Sequence, residues 1–277
     1  MINLSFIISS IGQSNRLDNL INQIDSMFSN KEIILVDNSS NKILFKQYYK
    51  NFKCKYVYER NQGVSFARNK GAQEAKNEIL IFLDDDIVLD DNFKNIDFSS
   101  LYNDEKFGIA GGKIIVNNKP KYLPKKYTYL AGEKDFGDKL INMPNYHYLG
   151  GCLLIIKKKT FDLFKGFDVY FGHQGDAIGA NEDVIFQELI RKAGLNVVYI
   201  PEATVYHFWN ENETKAIERV KKQGVADRMT DKKYFKIRMI LKLIKYKIFI
   251  FTFKNNNNLS KEKQYDLERY ISYVNSK

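Results

Sequence analysis

Short apolar runs alternate with amphipathic stretches through most of the chain, and that alternation sets the expected fold. Residues 4–9 read as a buried strand, and a Ser/Gly/Asn stretch after them leads into a helix near 16–27. Residues 32–37 form a second apolar run whose last residue, Asp37, falls where the strand ends, and 55–58 make a short third strand. Helical spacing returns over 63–77, with Val64, Ala67, Ala72 and Ala75 as the small or apolar positions. Residues 78–83 give the strongest strand, which runs straight into Asp84-Asp85-Asp86. Strands and helices in this order predict an α/β fold, a mostly parallel sheet sandwiched by helices.

Farther along, strands are expected near 109–115 and 152–156, a helix at 182–193, a strand at 197–200 and a helix at 211–228 that leads out of the domain. No internal repeat is visible, and the four asparagines at 255–258 read as a linker. We therefore divide the chain into a catalytic domain, 1–210, and a C-terminal helical extension, 211–277. The 277 residues suffice for one large core plus such an appendage. Charge sharpens the division: of a net +10, a surplus of eight sits in 230–277, with twelve Lys/Arg against four Asp/Glu. The basic character thus belongs to the extension and says little about the domain.

Cys54 and Cys152 have no metal-ligand spacing and no disulfide framework, which favours a reducing compartment. The first residues lack the basic region and cleavage site of a signal peptide. The expected location is cytoplasmic, with or without peripheral attachment at the inner face of the membrane.

Ligands of open α/β sheets sit at the carboxyl ends of strands, and Asp37 and the Asp84–Asp86 cluster share that edge. Three carboxylates after an apolar run are costly to place unless something neutralises them. Asp84 and Asp86 are two apart, so on an extended segment they point the same way and can grip one hard cation, Mn²⁺ or Mg²⁺. The plainer alternative is a solvated turn closing the strand.

Ile81-Phe82-Leu83-Asp84-Asp85-Asp86 resembles the Asp-x-Asp segment of glycosyltransferases of the family 2 type, which have the GT-A fold, a Rossmann-like α/β sandwich. The resemblance covers roughly residues 4–208 in the expected order. Ile7-Ile8-Ser9-Ser10-Ile11-Gly12 resembles the first strand and its nucleotide-contacting turn, although the Pro-Thr-Tyr-Asn form frequent there is absent. Residues 32–40 are similar to the second strand, whose Asp, here Asp37, meets the base. Residues 61–71 resemble the Asn-x-Gly and Ala-Arg-Asn-x-Gly stretch leading to the metal strand. Gly150-Gly151-Cys152 with Phe167-Asp168, Asn181-Glu182-Asp183, and Pro201-Glu202-Ala203-Thr204-Val205-Tyr206-His207 are similar to the later motifs. The stretch from His173 to Ala180 matches no pattern of the family.

The resemblance implies inverting transfer of a sugar from a nucleotide diphosphate sugar, UDP-linked by preference, to a hydroxyl of a growing glycan or a lipid-linked acceptor. It implies Asp183 as general base beside Glu182, a neighbour that binds the acceptor. Asp86 would hold the metal, with Asp84 sharing it or binding ribose, and His207 as a further ligand or a structural hydrogen-bonder. Ser10, Asp37, Asp84 and Asp85 would meet the nucleotide, as would Arg68, which could alternatively pair with Asp37. Gly150 and Gly151 would line the sugar site, and Trp209 would stack on a sugar face or pack in the core.

Two alternatives remain open on sequence grounds. One is a haloacid-dehalogenase-type phosphatase using Asp84 as nucleophile; the other is a non-catalytic nucleotide-sugar or nucleic-acid binding protein. Nucleic acid is not an expected partner, because the tail lacks the aromatic and glycine pattern of a base-stacking platform. Over 236–253, Ile237, Leu241, Ile244, Ile248 and Phe251 share one helical face, and Arg238, Lys242 and Lys245 another. That pattern fits contact of 234–253 with an anionic membrane surface, or packing on the domain or on a second subunit of a homo-oligomer. Residues 260–274 read as a terminal helix.

Overall fold

The computed structural model describes residues 2–12, 14–39, 46, 49, 52–118, 120–127, 132–172, 180–208, 212–256 and 258–276. Its centre is a sheet of nine strands: β1 Leu4–Ser10, β2 Lys31–Asp37, β3 Lys55–Tyr58, β4 Ile79–Asp84, β5 Ile87–Leu89, β6 Phe107–Asn117, β7 Ile141–Asn142, β8 Leu153–Lys157 and β9 Asn196–Phe208. The order is β3-β2-β1-β4-β8-β6-β9-β5, with β7 on β9. β3, β2, β1 and β4 are mutually parallel, as are β6 and β9, while β8, β5 and β7 run against their neighbours. The α/β architecture read from the pattern is therefore the one observed.

Apolar runs without alternation mark strands buried on both faces, and the side chains here divide accordingly. Phe6, Ile8, Ile33, Leu35, Ile81 and Leu83 join one core, which also takes α1, Asn15–Met27, through Leu17, Leu20, Ile21 and Ile24. Ser14 caps that helix by accepting from the Leu17 amide at 3.1 Å. Ile7, Ile34, Val36, Leu80 and Phe82 join the core on the other face. That face carries α2, Val64–Glu74, whose Gly71 lies so close to Ile7 that a Cβ there would fall 2.3 Å from its Cγ2. Among the described residues the domain has three further α-helices: α3 Phe98–Asn103, α4 Lys158–Leu163 and α5 Glu182–Lys192.

The centre of β6 needs glycine. Its pairing with β9 is irregular between Gly112 and Ile114, and a Cβ on Gly112 would lie 1.7 Å from the Ala203 carbonyl oxygen. A backbone atom cannot swing aside as a side chain can. Gly112→Ala should therefore cost about 3 kcal/mol, the upper end for overpacking, or more. An unfolding midpoint equal to the parent's in a thermal melt would contradict this.

The extension consists of α6 Glu213–Tyr234, α7 Lys236–Phe253 and α8 Lys261–Asn275. α6 runs six residues past the expected end at 228, because no glycine or proline interrupts 229–234, and it stops at Phe235. α6 and α8 pack closely at Gly224, where a Cβ would meet the Arg269 carbonyl oxygen at 2.2 Å. The extension is also tied to the domain by polar contacts. Asp266 accepts from Tyr127 at 2.5 Å and from Lys126 at 2.7 Å, and Asp227 and Thr230 accept from Asn181 at 3.1 Å.

Candidate active site

Strand register places the sequence-predicted carboxylates at one edge. Ser10 lies opposite Asp37, and Ser9 opposite Asp84, all at carboxyl ends of parallel strands. Asp37 is fully buried, accepting from the Ser39 amide at 2.7 Å and from the Tyr56 hydroxyl. It braces the loop after β2 rather than facing solvent, and it does not pair with Arg68. Beside it, Asn38 fixes the turn before α2 by accepting from the Gly63 amide at 2.8 Å and donating to the Asn61 carbonyl at 2.7 Å.

Asp84, Asp85 and Asp86 do not lie on an extended segment. The chain turns at Asp85–Asp86 into β5, which pairs antiparallel with β9 and sets Ile87 opposite His207. The expectation that Asp84 and Asp86 point the same way by two-residue alternation is therefore replaced by three separate directions. Asp84 reaches Arg68 at 2.9 Å, Asp85 accepts from the Ser10 hydroxyl, and Asp86 sits 3.3 Å from His207 Nε2. Burial, opposed by the Ser10 bond and aided by the neighbouring aspartates, pushes Asp85 up to about 6. Burial also acts upward on Asp86, but the hydrogen bond and charge of His207 outweigh it and leave that carboxyl below its usual value.

Asp86 and Asp85 border an open cavity of about 450 Å³, lined also by Ile11, Gly12, Ser14, Asn15 and Arg16. Asp86 Oδ1 is buried without a hydrogen-bond partner. An orphaned carboxylate oxygen costs free energy unless something positive meets it. With the His207 nitrogen alongside, it suits a hard or borderline divalent cation. Among the described residues no three His, Cys, Asp or Glu side chains converge as a full ligand set. The protein offers a pair, the arrangement expected where phosphate oxygens and water complete the shell.

Arg68, on α2, is 3% exposed and binds three groups. Its guanidinium donates to Asp84 at 2.9 Å, to Glu182 at 2.9 Å and to the Gly151 carbonyl at 2.8 Å. It thus joins the end of β4 to the start of α5. The next residue, Asn69, clamps the Gly166-Phe167 turn, donating to the Phe167 carbonyl and accepting from the Phe167 amide, both at 2.8 Å. Glu182, expected to face the acceptor, is 8% exposed and spends one oxygen on Arg68.

Asp183 is half-buried at the first turn of α5 and accepts from the Val184 amide at 2.8 Å. Burial first, and the Glu182 charge second, push its carboxyl up to about 7 against the pull of Arg68. Gly151 lies against it: a Cβ there would fall 2.9 Å from Asp183 Oδ2. Gln187, fully buried on the same helix, holds this turn by accepting from the Leu149 amide at 2.8 Å and donating to the Leu149 carbonyl at 3.2 Å. The Gly150-Gly151 pair therefore gives the carboxylate room and a fixed position. Trp209 and residues 173–179 lie outside the described residues.

Lys134 was not singled out by the sequence. Its backbone pairs with Ile114 on β6 through bonds of 2.7 and 3.1 Å. Its side chain passes Gly150, and its ammonium is held below the usual lysine value by burial, opposed by the charge of Asp183. Two residues earlier, Gly132 borders His207: a Cβ there would lie 3.7 Å from its Nδ1. The 132–134 segment thus runs from the metal-suited pair to the Asp183 carboxyl, and it supplies the site with a desolvated cation.

Comparison with known proteins accords with this geometry. The family profile described as Glycosyl transferase family 2 matches residues 5–164. Glucosyl-dolichyl phosphate glucuronosyltransferase of Haloferax volcanii is 25% identical over 185 residues, 64% of this chain and 58% of that protein. Cholesterol galactosyltransferase of Borreliella burgdorferi is 28% identical over 207 residues, 71% of this chain and 52% of that protein. Poly-beta-1,6-N-acetyl-D-glucosamine synthase of Staphylococcus epidermidis is 28% identical over 131 residues, 45% of this chain and 32% of that protein. The chain thus spans about half or less of the length of these relatives. Among solved structures, GalNAc-T7 with UDP, GalNAc and Mn²⁺ superposes with a TM-score of 0.64 at 16% identity, covering 97% of this chain and 54% of that one. That likeness shows the fold.

Proposed function

This chain belongs to glycosyl transferase family 2, and on that premise we propose that it transfers a sugar, with inversion, from a nucleoside diphosphate donor to an acceptor hydroxyl. The observation that carries this reading is geometric: Asp183, at the first turn of α5 against Gly151 with its carboxyl pushed up by burial, shares the site with an orphaned carboxylate oxygen beside an imidazole. A general base works best when its proton affinity lies near the working pH. Asp183 takes the proton of the acceptor hydroxyl as that oxygen bonds to the anomeric carbon. The bond from that carbon to the diphosphate breaks on the opposite face, and the leaving group departs with the electron pair.

Asp86 and His207 would hold a divalent cation, Mn²⁺ or Mg²⁺, whose Lewis acidity stabilises the departing diphosphate. Arg68 keeps Asp84 and Glu182 from repelling Asp183 outright. The Lys134 ammonium adds positive charge that favours the ionised form of the base. The donor we favour is UDP-linked. Two of the relatives act, by name, on lipids, glucosyl-dolichyl phosphate and cholesterol, which favours a lipid-borne acceptor here. The phosphatase alternative loses support because the carboxylate it needs as nucleophile, Asp84, is engaged by Arg68.

Asp86→Ala tests the metal assignment. Changes to groups behind a metal ligand cost 10–100-fold, so removing the ligand itself should lower Mn²⁺-dependent donor turnover by at least about 100-fold. Calorimetry of the parent should also give heat for Mn²⁺ with UDP, and none for the variant. Turnover unchanged in Asp86→Ala would overturn the assignment. A parent that binds no uridine, guanosine or thymidine diphosphate with Mn²⁺ would overturn the reaction.

A further inference from the structure

We propose that α7 is an interfacial helix that seats the protein flat on an anionic lipid bilayer. The helix has two apolar faces. One packs inward: Leu243, Tyr246, Phe249 and Ile250 meet α8, where Tyr246 stacks on Tyr270 with ring centroids 3.9 Å apart. The other has no cover. Ile237 is 77% exposed, Leu241 64%, Ile248 63% and Phe251 92%, and Ile240 and Ile244 are also more than half exposed. At about 100° per residue these six fall in one stripe. From Ile237 to Phe251 it is about 21 Å long at 1.5 Å per residue.

What borders the stripe names the partner. The same spacing sets Lys236, Lys247 and Lys254 along one margin and Arg238 and Lys245 along the other. Arg238 is drawn in to Asp231 at 2.5 Å, as is Lys242 at 2.9 Å. Lys236, Lys245, Lys247 and Lys254 are exposed and form no ion pair among the described residues. α7 contains no Asp or Glu. A second copy docking on this face would set lysine margin against lysine margin. Phosphate headgroups instead meet both margins while the stripe enters the acyl boundary, the arrangement of helices that lie in the membrane plane. No described helix is long and apolar enough to cross a bilayer, so the contact is a surface one.

The seating has a fixed geometry. Asp231 joins α6 to α7 and accepts from Tyr273 of α8 at 2.8 Å, and Asp227 and Thr230 of α6 hold Asn181, two residues before Asp183. If the acceptor is lipid-borne, as read above, the helix sets the height of Asp183 over the bilayer; the bilayer contact itself does not depend on that reading.

The test is co-sedimentation of the full chain with vesicles of phosphatidylcholine alone or mixed with phosphatidylglycerol, at low and high salt. Binding is expected to the mixed vesicles, at least tenfold tighter than to the neutral ones, and weakened by salt. Ile248→Glu with Phe251→Glu, and separately Lys245→Glu with Lys247→Glu, should each weaken it at least tenfold. Both pairs are solvent-exposed, so the unfolding midpoint and Mn²⁺–nucleotide binding should match the parent, which separates this result from failure of the transfer reading. Parent protein left in the supernatant, or variants that bind as the parent does, would overturn the proposal. So would a dimer in light scattering that Ile248→Glu with Phe251→Glu converts to a monomer.

Discussion

Asp183→Asn should lower turnover by roughly 10²–10⁴-fold, the range that a positioned general base contributes. The amide keeps the shape, the contact with Gly151 and an oxygen for the Val184 amide, but it cannot take a proton. Binding of nucleotide with Mn²⁺ should be unchanged, since the Asp86 and His207 pair is untouched. The parent's rate should fall about tenfold per pH unit below about 7, because Asp183 carries its proton there. The sign for stability is opposite. The folded value lies above the ordinary aspartate value of 3.8, so Asp183's contribution to stability is fully present below about 4 and is lost as pH rises through about 7. At pH 8 the asparagine variant should therefore melt no lower than the parent. A slow variant that also melts lower would be a folding defect, and a variant with parental turnover would place the base elsewhere.

Much of this arrangement was legible because it is written in local patterns. Ile79–Leu83 is buried on both faces, so its apolar run could only be a central strand, and three aspartates at its end had to lie at the sheet edge. Parallel pairing among β3, β2, β1 and β4 followed from the strand and helix alternation. The rest depends on contacts that local pattern does not encode. Arg68 meets Glu182 across 114 residues, and nothing near Arg68 in sequence announces that partner. The bonds that Asp37 accepts from Tyr56 and the Ser39 amide likewise leave no mark in the local pattern. β5 has only three residues, too few to show a period, and its pairing with β9 is what turns Asp86 toward His207. Lys134 is held by a single bridge outside any strand, which leaves no periodic signal. The apolar stripe of α7 was legible, but its two-faced nature was not, since the inner face is defined by tyrosines of α8.

Arg68→Met should destabilise the fold by about 3–5 kcal/mol, the cost of breaking a buried ion pair and leaving its partner unpaired. Most of that cost falls on Glu182, whose side chain is 10% exposed; Asp84, at 34%, is partly screened by water and contributes less. The Gly151 carbonyl also loses its donor, which loosens the turn against Asp183. Arg68 pulls Asp183 downward, so its removal raises that carboxyl further, and the acidic limb of the rate profile should move to higher pH. Arg68→Lys keeps a charge but has no planar fork to serve two carboxylates and a carbonyl, so its loss should be smaller and still measurable. Adding Glu182→Gln to Arg68→Met removes the stranded charge and should recover part of the stability, giving a favourable coupling in a double-mutant cycle. Denaturant midpoints of Arg68→Met, Arg68→Lys, Glu182→Gln and the double variant measure these losses. Strictly additive losses from Arg68→Met and Glu182→Gln, with the acidic limb unmoved, would mean that Arg68 only fills space between β4 and α5.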